Sequence, residues 1–366
     1  MNILRLSIFI FLLSLFHLTS FSQNQKAGCM QIFDAKKIKA VYGFSKYLPR
    51  FKDKTDQEIL KLLNEWKVNA IFGGYEDAKF VEQLHQAGIK IFVEVSFFVG
   101  EKWWQEYPAS RPVTSDGKPI EKEEWYAAVN PTNQNVFQAV LKKFETIIST
   151  KRVDGIWLDF FRWPCHWESP NPNFYQTSFD DHTVNLFLKR KQIVLPDNIQ
   201  NSSERNQLIL QNKLDRWTEF RCDIIVELAA KVNKLVKSIK SDILIGLFHI
   251  PWTNNDFNGA LRKIVGQDLA RLSPYIDVFS PMVYHAMCGK SPQWISEITT
   301  YTYDKTNKPI LPIIQTMNIP REISIDEFLE SLNSGTEATG SAGIIVFNMK
   351  GLNEAKLSKM IEIFKK

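Results

Sequence analysis

The chain is expected to fold as a (β/α)8 barrel with long third and fourth βα loops. Short β-rich apolar runs recur along it, a helical pattern follows each, and no Gly-rich phosphate turn marks a doubly wound open sheet. The runs are "KAVYGFS" (39–45), "NAIFGG" (69–74), "IKIFVEVSFF" (89–98) and "VDGIWLDFF" (153–161), then "ILIGLFHI" (243–250), "IDVFSPMVY" (276–284), "PILPIIQTM" (309–317) and "AGIIVFN" (342–348). Their near-continuous apolar character is that of parallel strands buried on both faces. Amphipathic patterns at 55–66, 77–88 and 133–148 predict the first three helices. A long pair at 180–192 and 204–239 follows the fourth strand, then shorter helices near 258–271, 291–304 and 324–334, and a last one at 353–366.

Residues 1–22 predict a secretory signal peptide. Arg5 precedes the apolar run "LSIFIFLLSLFHL" (6–18), and Ser20 and Ser22 precede a cut before Gln23. Residues 23–37 then form a linker, 38–366 a single barrel, and the mature chain is exported to the periplasm or beyond, without stable membrane insertion. Cys29 lacks a lipoprotein context, because Gln25-Lys26-Ala27-Gly28 precedes it. A net charge of +5 with basic and acidic residues interspersed leaves no basic stripe for nucleic acid. No cofactor is expected, and no His/Cys spacing marks a metal site. Among four cysteines, Cys165 and Cys288 fall at one end of the barrel and either pair or stand as separate thiols.

Chemistry in such barrels sits at the C-terminal strand ends. The third loop (99–132) and the fourth (161–180) are long and aromatic, and Trp103 and Trp104 open the former. Aromatics interleaved with polar groups suit a sugar, whose apolar face stacks while its hydroxyls hydrogen-bond. The alternative is a small hydrophobic cluster packed over the rim. In "VDGIWLDFFRWPCHWE" (153–168), Trp157 and Asp159 share one orientation, and Asp159 points to the barrel mouth. Arg162 would keep Asp159 ionised, as a nucleophile or base requires. Asp154, of opposite parity, reads as a contact at the barrel bottom.

The stretch "VDGIWLDFFRWP" resembles the fourth-strand signature D-G-I-x-x-D-[aromatic]-x-R-[aromatic]-P of glycoside-hydrolase-like families of exported bacterial barrels. "NPTNQNVF" (130–137) and "YIDVFSPMVY" (275–284) resemble their segments too. The resemblance implies a barrel acting on a poly- or oligosaccharide, with Asp159 as the catalytic-type carboxylate. Against the D-G-x-D-x-D-x-E run of family 18 chitinases, the positions here are Asp154, Trp157, Asp159 and Phe161. Phe161 replaces their proton donor, which argues against substrate-assisted chemistry. "WLD" (157–159) is similar to the W-x-D nucleophile of family 31 α-glycosidases.

Ordinary glycoside hydrolysis needs a second carboxyl group. The candidates are Asp256 beyond the fifth strand, Glu94 within the third, and Glu168 in the fourth loop. Asp256 is alternatively a cap, and Glu94 a core ion pair. Trp163, His166, His249, Trp252, Tyr284, His285, Gln315 and Asn348, with Trp157 and Arg162, are expected to contact substrate, and Tyr42 and Ser45 complete the circle. A carbohydrate-binding barrel without catalysis is the competing function.

Overall fold

Eight parallel strands surround one tryptophan in a computed structural model that describes residues 37–366. They are β1 (Ile38–Phe44), β2 (Ala70–Gly73), β3 (Lys90–Ser96), β4 (Gly155–Asp159), β7 (Leu244–His249), β8 (Val278–Pro281), β9 (Ile313–Gln315) and β10 (Gly343–Phe347). After β4, a short antiparallel hairpin pairs β5 (Cys165–His166) with β6 (Asn173–Phe174). The large sheet runs β8-β7-β4-β3-β2-β1-β10-β9. Two backbone bonds close it, Phe279 N–H to Pro309 O (3.1 Å) and Leu311 N–H to Phe279 O (2.9 Å). The fold is therefore the expected (β/α)8 barrel. Residues Ile38–Lys366 form one compact unit, and the expected signal peptide and most of the expected linker lie outside the described residues.

The outer helices are α1 (Asp56–Glu65), α2 (Ala78–Gln86), α4 (Gln134–Thr150), α5 (Asp181–Arg190), α6 (Ser202–Asn212), α7 (Leu214–Ile239), α10 (Gln293–Thr306), α11 (Ile325–Glu337) and α12 (Glu354–Lys365). Short helices α3 (Glu101–Glu106), α8 (Ala260–Lys263) and α9 (Leu269–Leu272) lie in βα connections. Side-chain caps start many of them: Thr55, Asp77, Asn133, Asp180, Ser324 and Asn353 each accept a backbone N–H of the following turn. Two expectations need correction. The helix at 204–239 breaks where Lys213 leaves helical angles (φ −134°, ψ 20°). The one at 258–271 divides into α8 and α9, with Gly266 at φ 67° between them. No helix among the described residues is long and apolar enough to cross a membrane.

Trp157 is fully buried at the barrel centre, where the expectation had it exposed to contact substrate. Its ring packs on Phe92 (4.5 Å between centroids) and Phe72 (5.1 Å), and its Nε1–H donates to Ser280 Oγ at 2.9 Å. Gly246 makes room: a Cβ there would lie 2.1 Å from the indole. Asp154 sits at the opposite end as expected, bonded to His85 (2.9 Å) and the Ile91 N–H (2.8 Å). We expect Gly246→Ala to destabilise the protein by about 1–3 kcal/mol through overpacking against Trp157. Urea denaturation would show the midpoint falling at constant m-value; an unchanged midpoint would mean the indole can move aside.

Candidate active site

The floor of the barrel mouth holds the carboxyls. β3 and β4 pair Glu94 with Trp157 and Ser96 with Asp159, which makes Glu94 and Asp159 diagonal neighbours on the inner face. Both are enclosed by protein yet keep part of their surface open to solvent. Glu94 accepts from Tyr42 and from Ser96 Oγ (3.0 Å). Burial first, and the Asp159 charge second, push its carboxyl up to about 8.

Asp159 is also raised by burial, but the Arg162 charge and the Phe160 N–H oppose that rise. The Phe160 N–H donates to Asp159 Oδ1 at 2.7 Å, from a residue held at φ 50°. The two carboxyls titrate together. The Asp159 charge raises Glu94, while the hydrogen bond between them lowers Asp159, so of the pair Glu94 holds its proton more tightly.

Arg162 makes no direct ion pair with Asp159. Its guanidinium lies over Phe160 (4.9 Å) and reaches Cys165 O (3.4 Å), acting on the carboxylates through its field. Glu168 is the third carboxyl, raised chiefly by burial and also by the Asp159 charge. His166 bridges towards it: Nε2 lies 3.8 Å from Glu168 Oε2, while Nδ1 meets Glu123 at 2.8 Å. Glu123 also accepts from Tyr175 and Asn173. Nothing in "EKEEWY" (121–126) sets Glu123 apart from its neighbours, so only the fold reveals it. Tyr284 stacks between Trp167 (5.6 Å) and Phe347 (4.9 Å). Burial, then the charges of Glu168, Asp159 and Glu94, drive its phenol well above the usual range.

Other expected site residues are occupied elsewhere. Asp256 accepts from Thr253 N–H and Oγ1, both at 2.7 Å, and so closes a turn, as the cap alternative held. His249 is buried, with Nδ1 donating to Ile250 O, and burial brings it down to about 4, so it stays neutral. His285 is buried against Glu327 at 2.9 Å. Gln315 is buried and spends its amide on Met287, Met317 and Ile319. Asn348 caps the turn at Lys350 and Gly351. Trp163 is buried, and its Nε1–H donates to Arg221 O at 3.1 Å.

The third-loop tryptophans largely follow the packing alternative. Trp103 is buried, and Trp104 donates to Ala128 O (2.8 Å) and packs on the cluster of Ile120, Tyr126 and Ala128. Trp125, by contrast, is 52% exposed. Cys165 and Cys288 are separate buried thiols. Among the described residues, no group of three or more His, Cys, Asp or Glu is arranged to hold a metal ion.

A family model described as "Putative glycosyl hydrolase domain" matches residues 58–320, a span that includes Glu94, Asp159 and Glu168. The chain belongs to this family. No curated protein sequence matches it. Among solved structures, this chain is similar to the PgaB (BpsB) glycoside hydrolase domain from Bordetella bronchiseptica, with 11% identity, a TM-score of 0.64, and coverage of 90% of this chain and 98% of that one. It is also similar to the β-galactosidase of the psychrophilic Marinomonas ef1 (9% identity, TM-score 0.65, 89% and 58% covered). A third likeness is to a catalytic mutant of Gan42B, a β-galactosidase from G. stearothermophilus (12%, TM-score 0.61, 90% and 56%). The chain thus spans little more than half of these β-galactosidases, and at such identities the likeness is one of fold.

The raised carboxyl of Glu94 has a consequence for stability. Between its ordinary value of 4.5 and about 8, the folded state holds a proton that the unfolded state has lost. This contribution is complete below 4.5 and is lost as pH rises to about 8. Thermal unfolding across that range is expected to show a falling Tm, with a flatter profile for Glu94→Gln; parallel profiles would remove Glu94 as the source.

Proposed function

We propose that this protein is an exported enzyme that hydrolyses glycosidic bonds in a poly- or oligosaccharide. The observation that carries the reading is Asp159 at a solvent-reachable barrel mouth, with Glu94 diagonal to it on β3 and Glu168 close enough to feel its charge. Membership of a glycosyl hydrolase family supports it, and the leader-like residues 1–22 support export.

In this reading Asp159 attacks the anomeric carbon or activates water. Glu168, whose hold on its proton burial strengthens, gives that proton to the leaving oxygen. Glu94 is a positioning residue: its proton holds the Asp159 carboxylate in place and limits charge repulsion. Tyr284 offers its phenol to a sugar hydroxyl or the ring oxygen, and His166, clamped by Glu123, orients Glu168.

The test is reducing-end release from bacterial, plant and host polysaccharides. Asp159→Asn is expected to lower kcat/KM by roughly 10²–10⁴-fold. Glu168→Gln is expected to lose a similar factor on natural linkages but far less on an aryl glycoside whose leaving group needs no proton. Equal activity of wild type and Asp159→Asn would take Asp159 out of the mechanism. Binding without turnover would favour the carbohydrate-binding barrel.

A further inference from the structure

Exposed large hydrophobic residues are unevenly placed among the described residues. Of Tyr47, Trp125, Phe174, Val194, Ile239, Phe257 and Ile319, five lie in βα loops on the face that carries the carboxyls, Val194 and Ile239 being the exceptions. Scattered single residues would mean little. Two of the five, however, join Trp252 in a mutual cluster. Phe174 meets Phe257 at 5.5 Å and Trp252 at 5.8 Å, and Trp252 meets Phe257 at 5.0 Å. Phe174 and Phe257 stay 41% and 40% exposed, so the cluster presents ring surface to water.

The backbone holds it there against a cost. Phe257 sits at φ 48° and Asn258 at φ 56°, in the left-handed region that bulky residues avoid. Asp256 locks this turn through Thr253, and the Tyr301 hydroxyl accepts from the Asn254 N–H at 2.9 Å. A shallow groove of about 500 Å³ lies against the same turn, its lining including Asn254, Asn255, Asn258, Glu219, Arg262 and Lys263. Exposed rings on a turn that also carries amides and charges match the apolar face and hydroxyl edge of a pyranose ring. A protein partner or a lipid would favour a broader, continuous apolar surface. The cluster is also continuous with the active site. The hairpin pairs His166 with Asn173, Asn173 bonds Glu123 (3.1 Å), and Phe174 is the next residue.

We propose that the Phe174–Trp252–Phe257 face is an outlying subsite on which a sugar ring of a long glycan stacks while another part of the chain occupies the carboxyl site. The proposal rests on the glycoside hydrolase reading. It assigns Asp256 as a positioning residue for the aromatic face.

The test uses the full chain in the Asp159→Asn background, run in native gels containing xylan, chitosan, mixed-linkage β-glucan, dextran or hyaluronan. At least one polysaccharide should retard the parent, and Phe174→Ala/Phe257→Ala should weaken that retention roughly 5- to 10-fold. Phe257→Tyr, which keeps a ring, should restore it. Phe257→Gly should weaken retention without lowering Tm, because glycine adopts this conformation freely. In the active enzyme the double variant should raise KM increasingly with substrate length while leaving kcat for the polymer within about twofold.

Retention unchanged by the double variant overturns the subsite and leaves the hydrolase reading standing. Retention that depends on the rings in a protein without any hydrolytic activity overturns the hydrolase reading and keeps the subsite. A parent that no gel retards overturns the subsite.

Discussion

Trp157 is the constraint on which the site depends. An indole at the barrel centre must be accommodated by its neighbours, and Gly155 and Gly246 leave the space its ring occupies. Ser280 satisfies its one donor in a region that excludes water. With the lower barrel filled, the next inward positions on β3 and β4, Ser96 and Asp159, stand on top of the plug with the Glu94 carboxyl beside them. The indole therefore sets the depth of the mouth, and the carboxyls meet at its floor.

Three carboxyls in one enclosure cannot all ionise at neutral pH without a large cost. The structure resolves this by asymmetry. Asp159 alone receives a backbone N–H from the following residue, while the field of Arg162 opposes the rise of both Asp159 and Glu168. Glu94 has hydroxyl partners, Tyr42 and Ser96, which suit a protonated or an ionised carboxyl. Glu168 is raised mostly by burial, against the fields of Arg162 and of His166. Unequal environments separate the proton affinities of similar groups, which is the requirement for acid and base to coexist.

The aromatic wealth of the third and fourth loops divides by burial. Most of it builds scaffolding: Trp163, Trp167 and Tyr126 are buried and hold the loops that deliver Arg162, His166 and Glu168. A loop that presents chemistry must itself be rigid, and a small satellite core supplies that rigidity. The minority left outside, Trp125 and Phe174, lies around the working face.

The barrel was legible in the sequence because continuous apolar runs and period-3.6 helices are local signals that the folded state obeys. Asp159 was legible for a related reason: parity along one strand places it, and an acid ending an apolar run has few structural uses. The identity of its partners was not legible. Glu94 and Asp159 are 65 residues apart in the chain and meet only because β3 and β4 pair in this register. Asp256 looked equally well placed by position, yet a local turn with Thr253 satisfied it first. The tryptophans carried no label for inside or outside, since burial is a property of the assembled surface. The sequence by itself determined the elements and one strand-end carboxylate; the tertiary structure decided which groups share its enclosure, because proton affinity and exposure depend on neighbours brought together across the barrel.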